Sequence, residues 1–269
     1  MTRPVHALFA SLAKILLSLI GLTATAYAAN WSSTEVHLQY GKLDAPSFAG
    51  GESADTTIFT VQHASGWKYG SNFFFVDFLS DSKDDGFNDA AYYGEFYANI
   101  SFAKIRNKKM NLGPINDIGL LLGLNFAPDV DVRKYLPGIR LSWSIPQFVF
   151  FNSDFMLYLD DSHGVNAGGA PSEDNAYILD LNFKLPFSVQ NHAMSLSGHM
   201  EYITSRDNEF GKTAGSLLAQ PQFRYDLGKQ LFDTKDQLYV GIEYQYWRNK
   251  LGDNDTDESA VQWLVVWQL

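Results

Sequence analysis

Beyond residue 30, apolar side chains recur at every second position in stretches of about ten residues, and turn-rich segments separate the stretches. A period of two sends alternate side chains to opposite faces of an extended backbone, so the pattern predicts β-strands rather than amphipathic helices. The C-terminal stretch is the cleanest: Val261, Trp263, Val265, Trp267 and Leu269 share one face. Twelve such segments lie near residues 31–40, 56–65, 71–80, 91–105, 115–126, 135–145, 147–160, 176–186, 193–204, 215–227, 237–249 and 260–269. An even number of strands, each about as long as the roughly 9 to 11 residues a tilted strand needs to cross a bilayer, predicts an all-β fold, a transmembrane antiparallel β-barrel.

The connections alternate in length. Gly66–Gly70, Ser144–Gln147 and Pro186–Ala193 are tight turns, whereas Lys42–Asp55, Asp160–Asn175 and Ser205–Ala214 are long and polar. Outer-membrane barrels pair short periplasmic turns with longer external loops in this way. Arg106–Pro114 and Gly228–Gln237 are longer than that rule prefers, which leaves the strand count open by two. Pro221 falls inside a strand, and a closed barrel has no edge to absorb it, so a bulge is expected there.

Composition narrows the class. With 46% hydrophobic and 19% charged residues the chain is neither disordered nor a coiled coil. It has no cysteine, which removes disulfide scaffolds, thiol catalysis and cysteine-ligated zinc. Its mean hydropathy is negative, which removes a bundle of apolar membrane helices.

At the N-terminus, Arg3 and Lys14 precede the apolar run Ile15–Leu22, and Ala26-Tyr27-Ala28 follows. This is the layout of a cleaved secretory signal peptide over residues 1–28, ahead of a barrel over 29–269. A membrane anchor would need about 17 to 25 apolar residues, and Lys14 interrupts the candidate stretch. Removing Arg3 and Lys14 leaves 18 Lys+Arg against 30 Asp+Glu, a net charge of −12 that disfavours nucleic acid as a partner. The expected location is the outer membrane of a Gram-negative bacterium, with outer-membrane lipid around the barrel.

In a barrel, every second residue faces lipid and its neighbours face the lumen. Phe74, Val76 and Phe78 alternate with Phe73, Phe75 and Asp77, and Phe96, Ala98 and Ile100 with Glu95, Tyr97 and Asn99. Ile139 and Leu141 flank Arg140, Leu179 and Leu181 flank Asp180, and Met200 and Tyr202 flank Glu201. Val240, Ile242 and Tyr244 alternate with Tyr239, Glu243 and Trp247. The lumen phase therefore carries both signs of charge. Opposite charges can simply pair and plug a small barrel, but aromatics on the same phase cannot be explained by lipid and suggest a ligand path.

Catalytic and metal motifs fail. Gly211-Lys212-Thr213 ends like a phosphate-binding loop, but Arg206 stands where its first glycine belongs. Asp253, Asp255 and Asp257 begin like a calcium loop, yet Glu258 replaces the turn glycine and Leu264 the last carboxylate. Ser162-His163 lacks the order found in the outer-membrane lipid hydrolases, and the six histidines are scattered. No enzyme activity, metal or cofactor is expected.

Two stretches carry a family resemblance: Asp55–Phe78, DTTIFTVQHASGWKYGSNFFFVDF, and Tyr92–Phe102, YYGEFYANISF. With the later hairpin spacing they make the mature chain resemble the Tsx family of nucleoside-specific outer-membrane channels. The final Leu269 departs from the aromatic residue at which such barrels usually end. The resemblance implies a monomeric channel passing nucleosides and deoxynucleosides down their gradient. A nucleoside has a flat base and a hydroxyl-rich sugar, so it needs aromatic faces and hydrogen-bonding groups. Stacking a base on an aromatic is worth roughly 1 to 3 kcal/mol, which selects without trapping.

On that chemistry Phe73, Phe75, Tyr97, Tyr239 and Trp247 are the candidate stacking groups. Asp77, Glu95, Asn99, Arg140, Asp180, Glu201 and Glu243 are the candidate hydrogen-bonding groups. A general small-solute porin and a surface receptor or adhesin on a plugged barrel are the alternatives. Apolar lipid-facing phases throughout leave no polar seam between subunits, so a monomer is expected.

Overall fold

The computed structural model describes residues 29–84 and 86–269; the leader assigned to residues 1–28 lies outside the described residues. Strands β1 (Ala29–Asp44), β2 (Ser53–Trp67), β3 (Gly70–Asp81), β4 (Ala91–Ser101), β5 (Ile115–Ala127) and β6 (Val132–Trp143) form the first half of an antiparallel sheet. The second half comprises β7 (Phe150–Asp160), β8 (Ala176–Val189), β9 (His192–Ile203), β10 in two pieces (Ser216–Ala219 and Gln222–Asp226), β11 (Leu238–Arg248) and β12 (Glu258–Gln268). Each strand pairs with its neighbours in sequence, and β12 returns to β1 with Leu38 opposite Val265 and Tyr40 opposite Trp263. The sheet is thus a closed twelve-stranded barrel with no free edge. Among the described residues no helix is long and apolar enough to cross a membrane; the strands do so.

Neither turn that made the strand count uncertain holds a full further strand: a short helix precedes Arg106 in one and opens the other. The alternating pattern over 91–105 continues too far, because β4 stops at Ser101 and Phe102–Ile105 forms helix α1. Ser101 Oγ accepts the Lys104 N–H at 3.0 Å, and Asp117 accepts the Ala103 N–H at 2.8 Å, so two of the orphan donors at the helix start are satisfied. In the other long turn, Asp226 caps helix α2 (Leu227–Phe232) by accepting the Lys229 N–H at 2.8 Å. At the opposite rim, the loop expected at 205–214 folds into a small ladder pairing Arg206–Asn208 with Gly211–Thr213. The connection at 128–131 is short although it lies on the long-loop rim.

The bulge expected at Pro221 is not there. Leu218 pairs with Trp247 and Gln222 with Glu243 in one unbroken register, so proline interrupts β10 without shifting it. Gly198 on β9 makes this possible: its φ is +148°, and a Cβ there would lie 2.3 Å from the Gln220 carbonyl oxygen and 2.8 Å from Pro221 Cα. Proline cannot donate to the ladder, and glycine opposite it lets the backbones approach closely instead of buckling.

The exterior is apolar. Leu38, Phe96, Leu122, Ile139, Phe155, Val261 and Trp263 are exposed, a continuous arrangement that water would not tolerate at roughly 1.5 to 3 kcal/mol per large side chain. Tyr40, Tyr92, Tyr135, Tyr177, Tyr202 and Tyr244 ring the loop end of the belt, while Trp31, Tyr69, Phe102 and Trp267 mark the turn end. Aromatic girdles of this kind bracket the hydrocarbon of an outer membrane. The interior has an apolar sector, Leu121, Leu136, Met156, Tyr158, Ala176 and Ile178 on β5–β8, and two smaller apolar clusters, Leu43, Ile58 and Ala260 near the loop end and Tyr239, Leu264 and Val266 near the turn end, among many polar side chains.

Candidate functional site

Strand register places all twelve candidate residues on the inner phase. Phe73 lies opposite Tyr97, Phe75 opposite Glu95, and Asp77 opposite Thr60 and Tyr93. Asp180 lies opposite both Asp154 and Glu201, and Glu243 opposite Gln222 and Gln262. The rings of Phe73 and Phe75 are 6.2 Å apart and those of Phe75 and Tyr93 6.0 Å apart, which makes one aromatic wall on β3 and β4. Glu95 sits within it, accepting from Tyr93 Oη at 2.5 Å, Tyr97 Oη at 3.0 Å and Asn125 Nδ2 at 3.1 Å. Across the interior, Glu95 is within electrostatic reach of His199, Asp180 and Glu201.

The facing wall is a continuous hydrogen-bonded chain. Arg140 grips Asp154 with two bonds of 2.7 and 2.5 Å, Asn182 links Asp154 to Asp180, and His199 Nδ1 lies 3.0 Å from Asp180 Oδ2. From His199 the chain passes to Gln220 at 2.9 Å and on to Glu243, which also accepts from Gln222 at 2.6 Å and Gln262 at 3.0 Å. Gln222 in turn accepts from Arg224, whose Nη1 meets Glu35 at 2.9 Å, and Glu35 holds His37 at 3.0 Å. Asp154, Asp180, Glu243, Arg224, Glu35 and His37 are buried and Arg140, Asn182, His199, Gln220 and Gln222 half-buried, so side chains from the barrel's own strands occupy much of its middle.

Charge pairing divides the interior carboxylates into two groups. Asp154 has Arg140, Glu35 has Arg224, and Glu258 has Lys250 at 2.8 Å. Asp160 shares Lys134 with the loop residue Glu173, and Glu173 also takes Arg206 at 2.7 Å. Asp77, Glu95, Asp180, Glu201 and Glu243 have no Lys or Arg at ion-pair distance among the described residues, and Asp180 meets the His199 ring at 3.0 Å. These are the five carboxylates singled out from the sequence. A buried carboxylate without a cation must be compensated by hydrogen-bond donors, so this level of the barrel has an excess of acceptors.

The other candidates part company. Arg140 is engaged by Asp154. Asn99 is buried with Oδ1 unpartnered, pressed against the backbone of Gly119. Tyr239 belongs to the turn end, packed with Leu264 and Val266, its hydroxyl donating to Asp236 at 2.8 Å. Trp247 stands near the loop end with the Lys250 ammonium 5.3 Å above its ring. The central cluster also contains Tyr93 and His199, which were not among the candidates. Both lie on the inner phase of strands already recognised, and extending the alternation by one step from Glu95 reaches Tyr93; nothing in the sequence tells which inner residues meet across the barrel.

Loops brace one another at the outer rim. Glu209 accepts the backbone N–H groups of Val165 and Ser172, each at 2.9 Å, and these bonds hold its carboxyl below the usual range. The acids that resemble a calcium loop are used locally: Asp253 accepts from the Ser47 N–H at 2.6 Å and Thr256 Oγ1 at 2.6 Å, and Asp257 from the Asn249 N–H at 2.8 Å. A cavity of about 200 Å³ opens at the turn end, lined by Lys184, Ser195, Asp226, Asp236 and Tyr239 among others.

No known family and no curated protein matches the sequence. Among solved structures, an outer membrane channel from Pseudomonas putida F1 superposes with a TM-score of 0.51 at 10% identity, covering 91% of this chain and 98% of that one. The NanC porin follows with a TM-score of 0.48 at 10% identity over 87% of this chain and 97% of that one. The KdgM porin gives 0.47 at 8% identity over 87% and 98%. At these identities the likeness is one of fold, and the two porins are too distant to carry an argument. The apolar belt, the aromatic girdles and the closed sheet make the chain an outer-membrane β-barrel.

Proposed function

We propose that the barrel is a channel for passive, selective diffusion of nucleosides and deoxynucleosides. The observation that carries this reading is the central level of the interior, where an aromatic wall of Phe73, Phe75, Tyr93 and Tyr97 faces carboxylates that have no Lys or Arg at ion-pair distance among the described residues. A solute that brings donors and a flat ring suits such a wall. A nucleoside supplies sugar hydroxyls for Asp77, Glu95, Asp180, Glu201 and Glu243 and a base to stack, and it is neutral, so it meets no repulsion from the acidic interior. The sequence resemblance to the Tsx family supports the same substrate class. Because side chains from the barrel's own strands occupy much of its middle, a solute passes in contact with them, which suits a selective channel better than a wide general pore.

A plugged barrel serving as a surface receptor is the second reading, favoured by interior side chains that bond to one another. Flux into liposomes separates the two. The refolded barrel should admit thymidine faster than a sugar of similar size, and adenosine should compete. Equal entry without competition would make it a general pore, and no entry of either would leave the plugged receptor.

A further inference from the structure

The turn between β4 and β5, residues 102–114, differs from every other connection. It contains Lys104, Arg106, Lys108 and Lys109 and no acidic residue, in a chain whose total is strongly negative. Phe102 is 42% exposed, Ile105 51% and Leu112 55%, so the same short segment also displays apolar side chains. It lies at the turn end of the barrel, on the rim that also holds the tight turns at 68–69, 144–149 and 190–191, which is the periplasmic side.

The segment is held in place. Lys104 Nζ donates to the carbonyl oxygens of Gly70 at 2.5 Å and Trp67 at 3.2 Å on the neighbouring turn, and Asp117 and Ser101 fix the start of α1. That leaves Arg106, Lys108 and Lys109 exposed, with no ion pair among the described residues. Their apolar neighbours continue the lipid belt, since Ile100 and Leu120 lie on the outer face of β4 and β5 immediately above. The opposite rim has the reverse character, with Asp129, Asp131, Asp161, Asp207, Asp253 and Asp255.

We propose that residues 102–114 form a foot on the periplasmic leaflet that binds anionic phospholipid headgroups. Phe102, Ile105 and Leu112 insert at the acyl boundary while Arg106, Lys108 and Lys109 meet the phosphates. An exposed apolar face with basic residues beside it partitions into a membrane interface, and each cation adds attraction to an anionic surface. The partner is lipid because the surface is continuous with the lipid belt, and it is anionic because the exposed charge is of one sign.

The absence of cysteine permits a clean test. Ile105→Cys carries a single fluorophore in the full barrel, reconstituted with trace lipid bearing a nitroxide on either phosphatidylglycerol or phosphatidylcholine; Asp255→Cys on the other rim is the control. The label at 105 should be quenched by shallow acyl nitroxides and the control should not. Quenching by the phosphatidylglycerol probe should exceed that by phosphatidylcholine by about fivefold, the effect of roughly one effective cation near the surface. Adding Arg106→Gln, Lys108→Gln and Lys109→Gln should bring the ratio to about one in a barrel that retains its heat-modifiable mobility. No quenching at 105, equal quenching by the two lipids, or a ratio unmoved by the triple substitution would each overturn the proposal.

Discussion

Glu35 and Arg224 show how a charge is maintained inside the barrel. Both are buried, both belong to the bonded chain, and the pair joins β1 to β10 across two intervening strands. Arg224→Gln should therefore destabilise the barrel by about 3 to 5 kcal/mol in urea unfolding, because it leaves Glu35 uncompensated. Adding Glu35→Gln should restore most of that loss; additive losses would show that the pair is not coupled. The proposed substrate contacts behave differently, since they lie where charge is unpaired. Phe75→Ala should weaken thymidine selectivity roughly 5- to 150-fold, the equivalent of one base stack, in the liposome flux assay. Glu95→Gln should lower flux while leaving unfolding little changed, and full flux in both variants would remove these residues from the path. Phe75, Asp77 and Glu95 are legible in the sequence from strand alternation alone. His199 becomes notable only once folding brings it among carboxylates from β3, β4, β8, β9 and β11.

At the scale of elements, glycine and proline show how the chain tunes its sheet. Gly198→Val should prevent β9 and β10 from closing and abolish the compact band on unheated gels, because its side chain would overlap the Gln220 carbonyl at a backbone angle that L residues rarely adopt. Gly94→Ala should be milder: a Cβ there meets the far edge of the Phe126 ring, 2.4 Å away, and a ring can swing aside. Proline within a strand was visible in the sequence, but its remedy was not, since the compensating glycine lies 23 residues earlier and opposes it only by register. The loops carry a pH dependence. Glu209 has a lowered folded-state pKa because it accepts two backbone N–H groups from the 161–175 loop. Its contribution is present above the unfolded value and is lost as pH falls through the folded one. Amide exchange at Val165 and Ser172 should therefore be slow near neutrality and accelerate, relative to the intrinsic rate, only in strong acid; Glu209→Gln should blunt that transition.

For the molecule as a whole, the excess of interior carboxylates predicts charge selection. Thymidine monophosphate should enter liposomes more slowly than thymidine, and raising salt should narrow the difference as screening weakens the repulsion. Equal rates at low salt would mean that the acidic lining is neutralised. The sequence by itself determined the architecture, because a strand exposes its choice of environment residue by residue: Val261, Trp263, Val265 and Trp267 on one face and Glu258, Gln262 and Leu264 on the other specify lipid outside and a mixed interior. It also determined the lumen phase of every candidate residue and the closed sheet that an exposed apolar belt requires. Tertiary structure alone decided which charges cancel. Arg140 and Asp154 are neighbours only through the register of β6 and β7, Glu35 and Arg224 only through closure of the barrel, and the five carboxylates without Lys or Arg are those left over. Alternation is a local property of the backbone, whereas pairing across an enclosed interior depends on barrel radius, strand stagger and side-chain length together, and no single stretch of the chain encodes these.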